Sequence, residues 1–239
     1  MKSFIFELCI GSFEAAKVAE SAGADQVELC SELSIGGVTP TFDLMTGVVK
    51  AVSIPVHVLI RPRGGDFVFS ASEFAQMQRQ IEQARKAGAK GVAVGILHSN
   101  GRVDVERSRA LVEQARPLAV TFHRAFDEAA DLTGALEDVI ETGADSLLTS
   151  GGAPDVLSGA DSIARLYRQA GRRIEIMAGG GLQLANLVEV LQRSGVSCLH
   201  GSLTRKAPGH PSAFDPALLE ADLREALRLV RLNSVSKGS

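Results

Sequence analysis

The sequence predicts a single-domain TIM-type (β/α)8 barrel, and three observations carry that expectation. Eight short apolar or β-branched runs, at 4–10, 26–30, 56–61, 91–96, 119–123, 146–149, 174–178 and 197–200, start 22 to 35 residues apart. Every interval between them holds one amphipathic helical pattern, and strand–helix alternation implies a parallel sheet. A glycine-centred tetrapeptide (Ala22–Asp25, Ala87–Lys90, Thr142–Asp145 and Ser194–Ser197) closes every second interval, 52 to 65 residues apart. A two-unit repeat occurring four times makes eight units, which close without edge strands; an open doubly wound sheet fits less well. No linker divides the chain, so residues 1–232 read as one barrel and 233–239 as a polar, disordered tail.

Several helix starts are legible. Thr39-Pro40 reads as an N-cap with proline at the first helical position. Ser70 and Glu73 have capping-box spacing, and Phe74, Met77, Ile81 and Ala84 follow as the buried stripe. Asp131 precedes Leu132, Leu136, Val139 and Ile140, while Asp161 precedes Ile163, Leu166 and Tyr167. Another pattern begins near Gln183. Asp215-Pro216 opens the last, with Leu219, Leu223, Leu227 and Val230 on one side. Glycine in the four repeats supplies the left-handed residue that ends a helix.

Composition excludes several function classes. A formal charge of −3 argues against nucleic acid or an anionic membrane as the main partner. No apolar run approaches the ~18 residues of a membrane span. Glu7 interrupts the first apolar run, so the N-terminus reads as a strand rather than a signal peptide. Three cysteines without an export signal suit reduced thiols in the cytoplasm. Oligomeric state is left open, a homo-oligomer included.

Barrel chemistry collects where strands end and loops begin. The tripeptide Glu-Leu-Cys closes each of the first two runs, at 7–9 and 28–30. Side chains alternate faces along a strand, so each glutamate shares a face with its cysteine. On neighbouring strands Cys9 and Cys30 converge, and two thiolates in a reducing compartment suit Cu(I). They also fit as small core residues, the role expected of Cys198. Arg61, Arg63 and Asp66 sit in a glycine-containing loop. Its arginine forks suit a carboxylate or phosphate, or else an internal salt bridge with Glu28. His123, Arg124 and Asp127 follow the fifth run, and His123 is an acid/base or ligand candidate. Ser150-Gly151, Gly179-Gly180, His200 and Ser202 complete the polar ring, with the glycines placed to meet an anion. His98 belongs first to a turn, 98–101.

Taken together, Glu-Leu-Cys twice, Gly36 to Pro40, the Arg61 to Phe67 loop, the 117–127 segment PLAVTFHRAFD and Ile176-Met177-Ala178-Gly179 resemble the CutC family over about residues 4 to 230. The resemblance implies a barrel, a cytoplasmic protein of copper homeostasis, and Cu(I) at Cys9 and Cys30. No organic cofactor is indicated. The polar ring supports an alternative: a lyase, isomerase or hydrolase acting on a small anionic metabolite, sugar-like or phosphorylated. There Glu7 or Glu28 exchanges protons with His123 while the arginines and glycine loops hold the anion.

Overall fold

Pleating sorts the strand side chains into two sets. One, including Phe6, Leu8, Val27, Val58, Val92, Phe122, Ile176 and Leu199, packs against the surrounding helices in one continuous apolar core. The other points into the barrel, where Glu7, Glu28, His57, Thr121 and His200 are buried beside Leu59, Leu148, Met177 and Cys198. A computed structural model describes residues 4–203 and 214–235.

The strands are β1 (Ile5–Ile10), β2 (Gln26–Leu29), β3 (Val56–Leu59), β4 (Gly91–Val94), β5 (Ala119–Phe122), β6 (Ser146–Thr149), β7 (Glu175–Ala178) and β8 (Cys198–Gly201). They pair in parallel in chain order, and β8 returns to β1 to close the barrel. Around them run α1 (Phe13–Ala22), α2 (Phe42–Ala51), α3 (Ala71–Ala87), α4 (Val105–Ala115), α5 (Leu132–Thr142), α6 (Ala160–Ala170), α7 (Leu184–Ser194) and α8 (Pro216–Val235). The expected eight-unit barrel is the observed one.

The repeat glycines do what the pattern requires. Gly23, Gly88, Gly143 and Gly195 end α1, α3, α5 and α7 with φ of 92°, 91°, 81° and 72°. The Ser70–Glu73 capping box opens α3, Asp131 caps α5, and Asp215 accepts from the amides of Ala217 and Leu218 at the start of α8.

Two starts differ from expectation. Thr41, not Thr39, caps α2. Thr39 is engaged elsewhere: its hydroxyl accepts from the Arg61 amide at 2.8 Å and donates to Gln80, so the chain turns into helix only after it. In α6 the N-cap is Gly159, and Asp161 lies inside the first turn, where its carboxylate accepts from Arg193 on α7. At the end of the chain α8 continues to Val235, past the Asn233 start expected for the tail; residues 236–239 lie outside the described residues.

Candidate functional site

The cross-strand register brings the two Glu-Leu-Cys copies together one step out of line. Cys9 pairs with Glu28 rather than with Cys30, because β1 and β2 are offset by two residues. Glu28 therefore accepts from Cys9 Sγ at 3.5 Å, and Cys30 stands one layer nearer the mouth with its Sγ 3.6 Å from that of Cys9. Cys30 in turn donates to the Ile10 carbonyl. All three cysteines are reduced, and Cys198 lies in the apolar cluster of Leu148 and Met177, as expected of a core residue.

Below the thiols runs a buried ionic string. Glu7 accepts from Gln26 Nε2 at 2.7 Å, and its two oxygens face His200 Nδ1 at 2.9 Å and His57 Nδ1 at 3.1 Å. His200 reaches the other way to Glu28, Nε2 to oxygen at 3.8 Å. Burial pushes the Glu7 carboxyl up, but His200 and His57 outweigh it and hold the group well below the usual carboxylate range. Glu28 goes the other way: burial dominates over the pull of His200 and raises it. Burial disfavours the His200 cation, and Glu28 and Glu7 together more than offset that and raise it. The Cys9 thiol is pushed well up by its contact with Cys30, by burial and by Glu28, so the proton stays on sulfur. The site at rest is a protonated Cys9 thiol, in contact with Cys30, above an ionised Glu7 that faces His200.

Across the mouth the groups behave differently. The ring of His123 accepts from the Ala125 amide through Nδ1 at 3.2 Å, which leaves its hydrogen on Nε2. That Nε2 is buried and has no partner among the described residues. Burial, then the Arg61 cation, lowers its pKa to about 3, so the ring is a neutral, fixed N–H donor instead of the proton-exchanging partner expected for Glu28. Arg61 donates to the carbonyls of Ile35, Gly37 and Gly65 and lies 4.6 Å over the Phe67 ring. It is 6% exposed, and its Nε is also unpartnered.

Arg124 is held by Asp127 at 2.9 Å and by Ser150 Oγ at 3.1 Å. Asp127 also accepts from Thr149 and from the amides of Ser150 and Gly152, tying the loop after β5 to that after β6. Gly180, at φ 99°, lets the guanidinium pass: a Cβ there would sit 2.9 Å from Arg124 Cζ.

A cavity of about 660 Å³ opens at this end of the barrel. Of the residues expected at the site, Cys9, Glu28, Cys30, Arg61, His123, Arg124, Asp127, Gly180, His200 and Ser202 line it. Glu7 does not; it is one layer deeper. Arg63 and Asp66 turn outward, paired with each other at 3.0 Å, and Arg63 also holds Glu73. The expected internal salt bridge thus forms without Arg61 or Glu28. Ser150, Gly151 and Gly179 shape the turns behind the wall, where a Cβ on Gly179 would meet Leu148 at 2.7 Å. His98 stays in its turn, 3.5 Å from Asp104. Leu33 and Ile35, in a 3-10 turn within a segment that carries no motif, also line the cavity, as does Glu128. Apolar residues in a loop directly after Glu-Leu-Cys were their only signal.

Comparison with known proteins agrees with this architecture. The sequence profile of the CutC family matches residues 4–205. The chain belongs to the CutC family. A family protein CutC from Caulobacter vibrioides is 43% identical over 205 residues, 86% of this chain and 83% of that protein. The human copper homeostasis protein cutC homolog is 45% identical over 83% of this chain and 73% of its own length. A solved CutC structure from Streptococcus agalactiae superposes with a TM-score of 0.79 at 30% identity, covering 84% of this chain and all of that one. No helix among the described residues is long and apolar enough to cross a membrane.

Proposed function

We propose that this protein holds a thiophilic metal ion as cargo, Cu(I) in the first place, between Cys9 and Cys30 in a reducing cytoplasm. The observation that carries the reading is the 3.6 Å approach of two reduced thiols at the floor of an open cavity. Metal–thiolate bonds of about 2.3 Å bring two sulfurs to roughly 3.8 Å apart at a tetrahedral angle, so the pair needs little movement. Soft sulfur donors favour Cu(I) over hard ions. The donor set also reaches further than the cysteines: Cys9 Sγ, a Glu28 oxygen and a His200 ring nitrogen all lie within 4.8 Å of one another.

Binding must displace the thiol protons, so affinity rises with pH. Reduced protein titrated with Cu(I) against a competing chelator should show a site that Cys9→Ser and Cys30→Ser each weaken at least about a hundredfold. Unchanged affinity in both variants ends the reading, and a Zn(II) arm tests its selectivity.

A second reading, an enzyme acting on a small anionic metabolite, is favoured by volume: an ion fills a corner of a cavity of about 660 Å³, a size suited to an organic ligand.

A further inference from the structure

The cations around the mouth differ in how fully they are neutralised. Arg63 faces Glu73 and Asp66, Arg124 faces Asp127, and Arg107 faces Asp104. Arg61 is the exception among these four. Its hydrogen bonds go to the neutral carbonyls of Ile35, Gly37 and Gly65. A guanidinium 6% exposed and with no carboxylate ion-paired to it among the described residues is a costly arrangement for a fold to keep if the group only fastens loops.

Its surroundings add to the charge imbalance. Arg61 and His123 both pack against the Phe67 ring, its centroid 4.6 Å from the guanidinium carbon and 5.2 Å from the imidazole centroid. His123 presents an N–H whose nitrogen is fully buried and unpartnered, as is Arg61 Nε. Each unsatisfied buried donor is a standing cost to the fold, which a ligand oxygen relieves. A cation without an ion pair among the described residues, a neutral donor and an aromatic wall meet in one lining of one cavity, where Glu128 is the chief acidic charge acting on Arg61.

We propose that Arg61 and His123 form an oxyanion subsite, binding the carboxylate or phosphate of a small organic acid whose remainder extends toward Glu28 and Cys9. The inference rests on the second reading above for the presence of an organic ligand, and is independent of the metal. Charge comes from Arg61 and direction from His123 Nε2–H, and Phe67 covers the ligand's apolar part. Because the imidazole is neutral throughout the physiological range, the subsite keeps its donor at every working pH.

The test uses the full chain with acetate, inorganic phosphate and glycerol phosphate as probes and chloride as the ionic-strength control. Long-range imidazole nitrogen–proton NMR reads the His123 ring, and titration of that signal yields the dissociation constant. Saturable movement with acetate, or with the phosphates, supports the subsite and tells a carboxylate from a phosphate. Arg61→Met should weaken binding about tenfold or more, and His123→Phe, read by calorimetry, about three- to tenfold. Arg109→Ala, which removes a surface pair with Glu141 away from the cavity, should change nothing.

Should Arg61→Met fail to fold, His123→Phe and the NMR shift decide alone. Anion binding kept in Cys9→Ser separates the subsite from the metal. If probes bind but neither Arg61→Met nor His123→Phe matters, the subsite is wrong while an organic ligand stands. If none of the probes moves the His123 signal or binds by calorimetry, both fall.

Discussion

Two sides of the barrel interior are built from opposite chemistry. Where β1, β2, β3 and β8 meet, Glu7, Glu28, His57 and His200 form a buried ionic string capped by Cys9. Where β6, β7 and β8 meet, Leu148, Met177 and Cys198 pack as an apolar cluster with Ile5 against it. Both are buried, yet one is held by directional bonds that need every partner and the other by contact area that tolerates adjustment. The same residue type shows the difference: Cys9 sits among charges, Cys198 among aliphatic side chains. The buried charges gather on one side of the barrel, apart from the apolar wall of Leu148, Met177 and Cys198.

The largest effect should come from breaking the string. Glu7→Gln removes the anion that His200 and His57 face, and should cost about 3–5 kcal/mol in urea denaturation, the range for orphaning a buried pair. A loss below 1 kcal/mol would show that the string does not need every partner. Next comes Met177→Ala on the apolar side, with an expected loss of about 2–4 kcal/mol from the cavity it leaves and no effect on Cu(I) affinity. A change in metal binding there would erase the division between the sides.

The pH dependence separates the groups further. The folded His123 pKa, about 3, lies below the ordinary histidine value of 6.5, so the unfolded chain binds the extra proton between those values. That contribution is present above pH 6.5 and is lost as pH falls, by at most about 1.4 kcal/mol per unit. Glu7 adds a loss of the same sign, beginning only below the ordinary carboxylate value of 4.5. His123→Phe should therefore remove the His123 share of the slope from pH 6.5 down to about 3 and leave the Glu7 share below 4.5 in place. The smallest effect is expected for Cys198→Ser, about 1–2 kcal/mol for burying a hydroxyl among Leu148 and Met177, with metal affinity unchanged. Loss of Cu(I) binding in that variant would remove the distinction between the cysteines.

Much of this molecule is decided locally. Strand count, the βα alternation, the glycine helix ends, the Ser70 and Asp131 caps and the polarity of one barrel end all follow from residues within a few positions of one another, and so the sequence by itself determines the barrel and its working face. Local propensity could not place the caps of α2 and α6, because Thr39 is claimed by Arg61 and Gln80, and Asp161 by Arg193, through contacts made only when the chain closes. Tertiary structure alone decides which members of the polar ring meet. The two-residue offset between β1 and β2 sets Cys9 on Glu28, and closure of β8 on β1 brings His200 to Glu7 across 193 positions of chain. The same closure turns Arg63 outward, buries Arg61 with no carboxylate ion-paired to it among the described residues, and folds the motif-less 33–35 turn over the mouth. Residue types carry chemical capacity, but register and barrel closure set distance and burial, and these hold the proton on the Cys9 thiol and keep the His123 ring neutral.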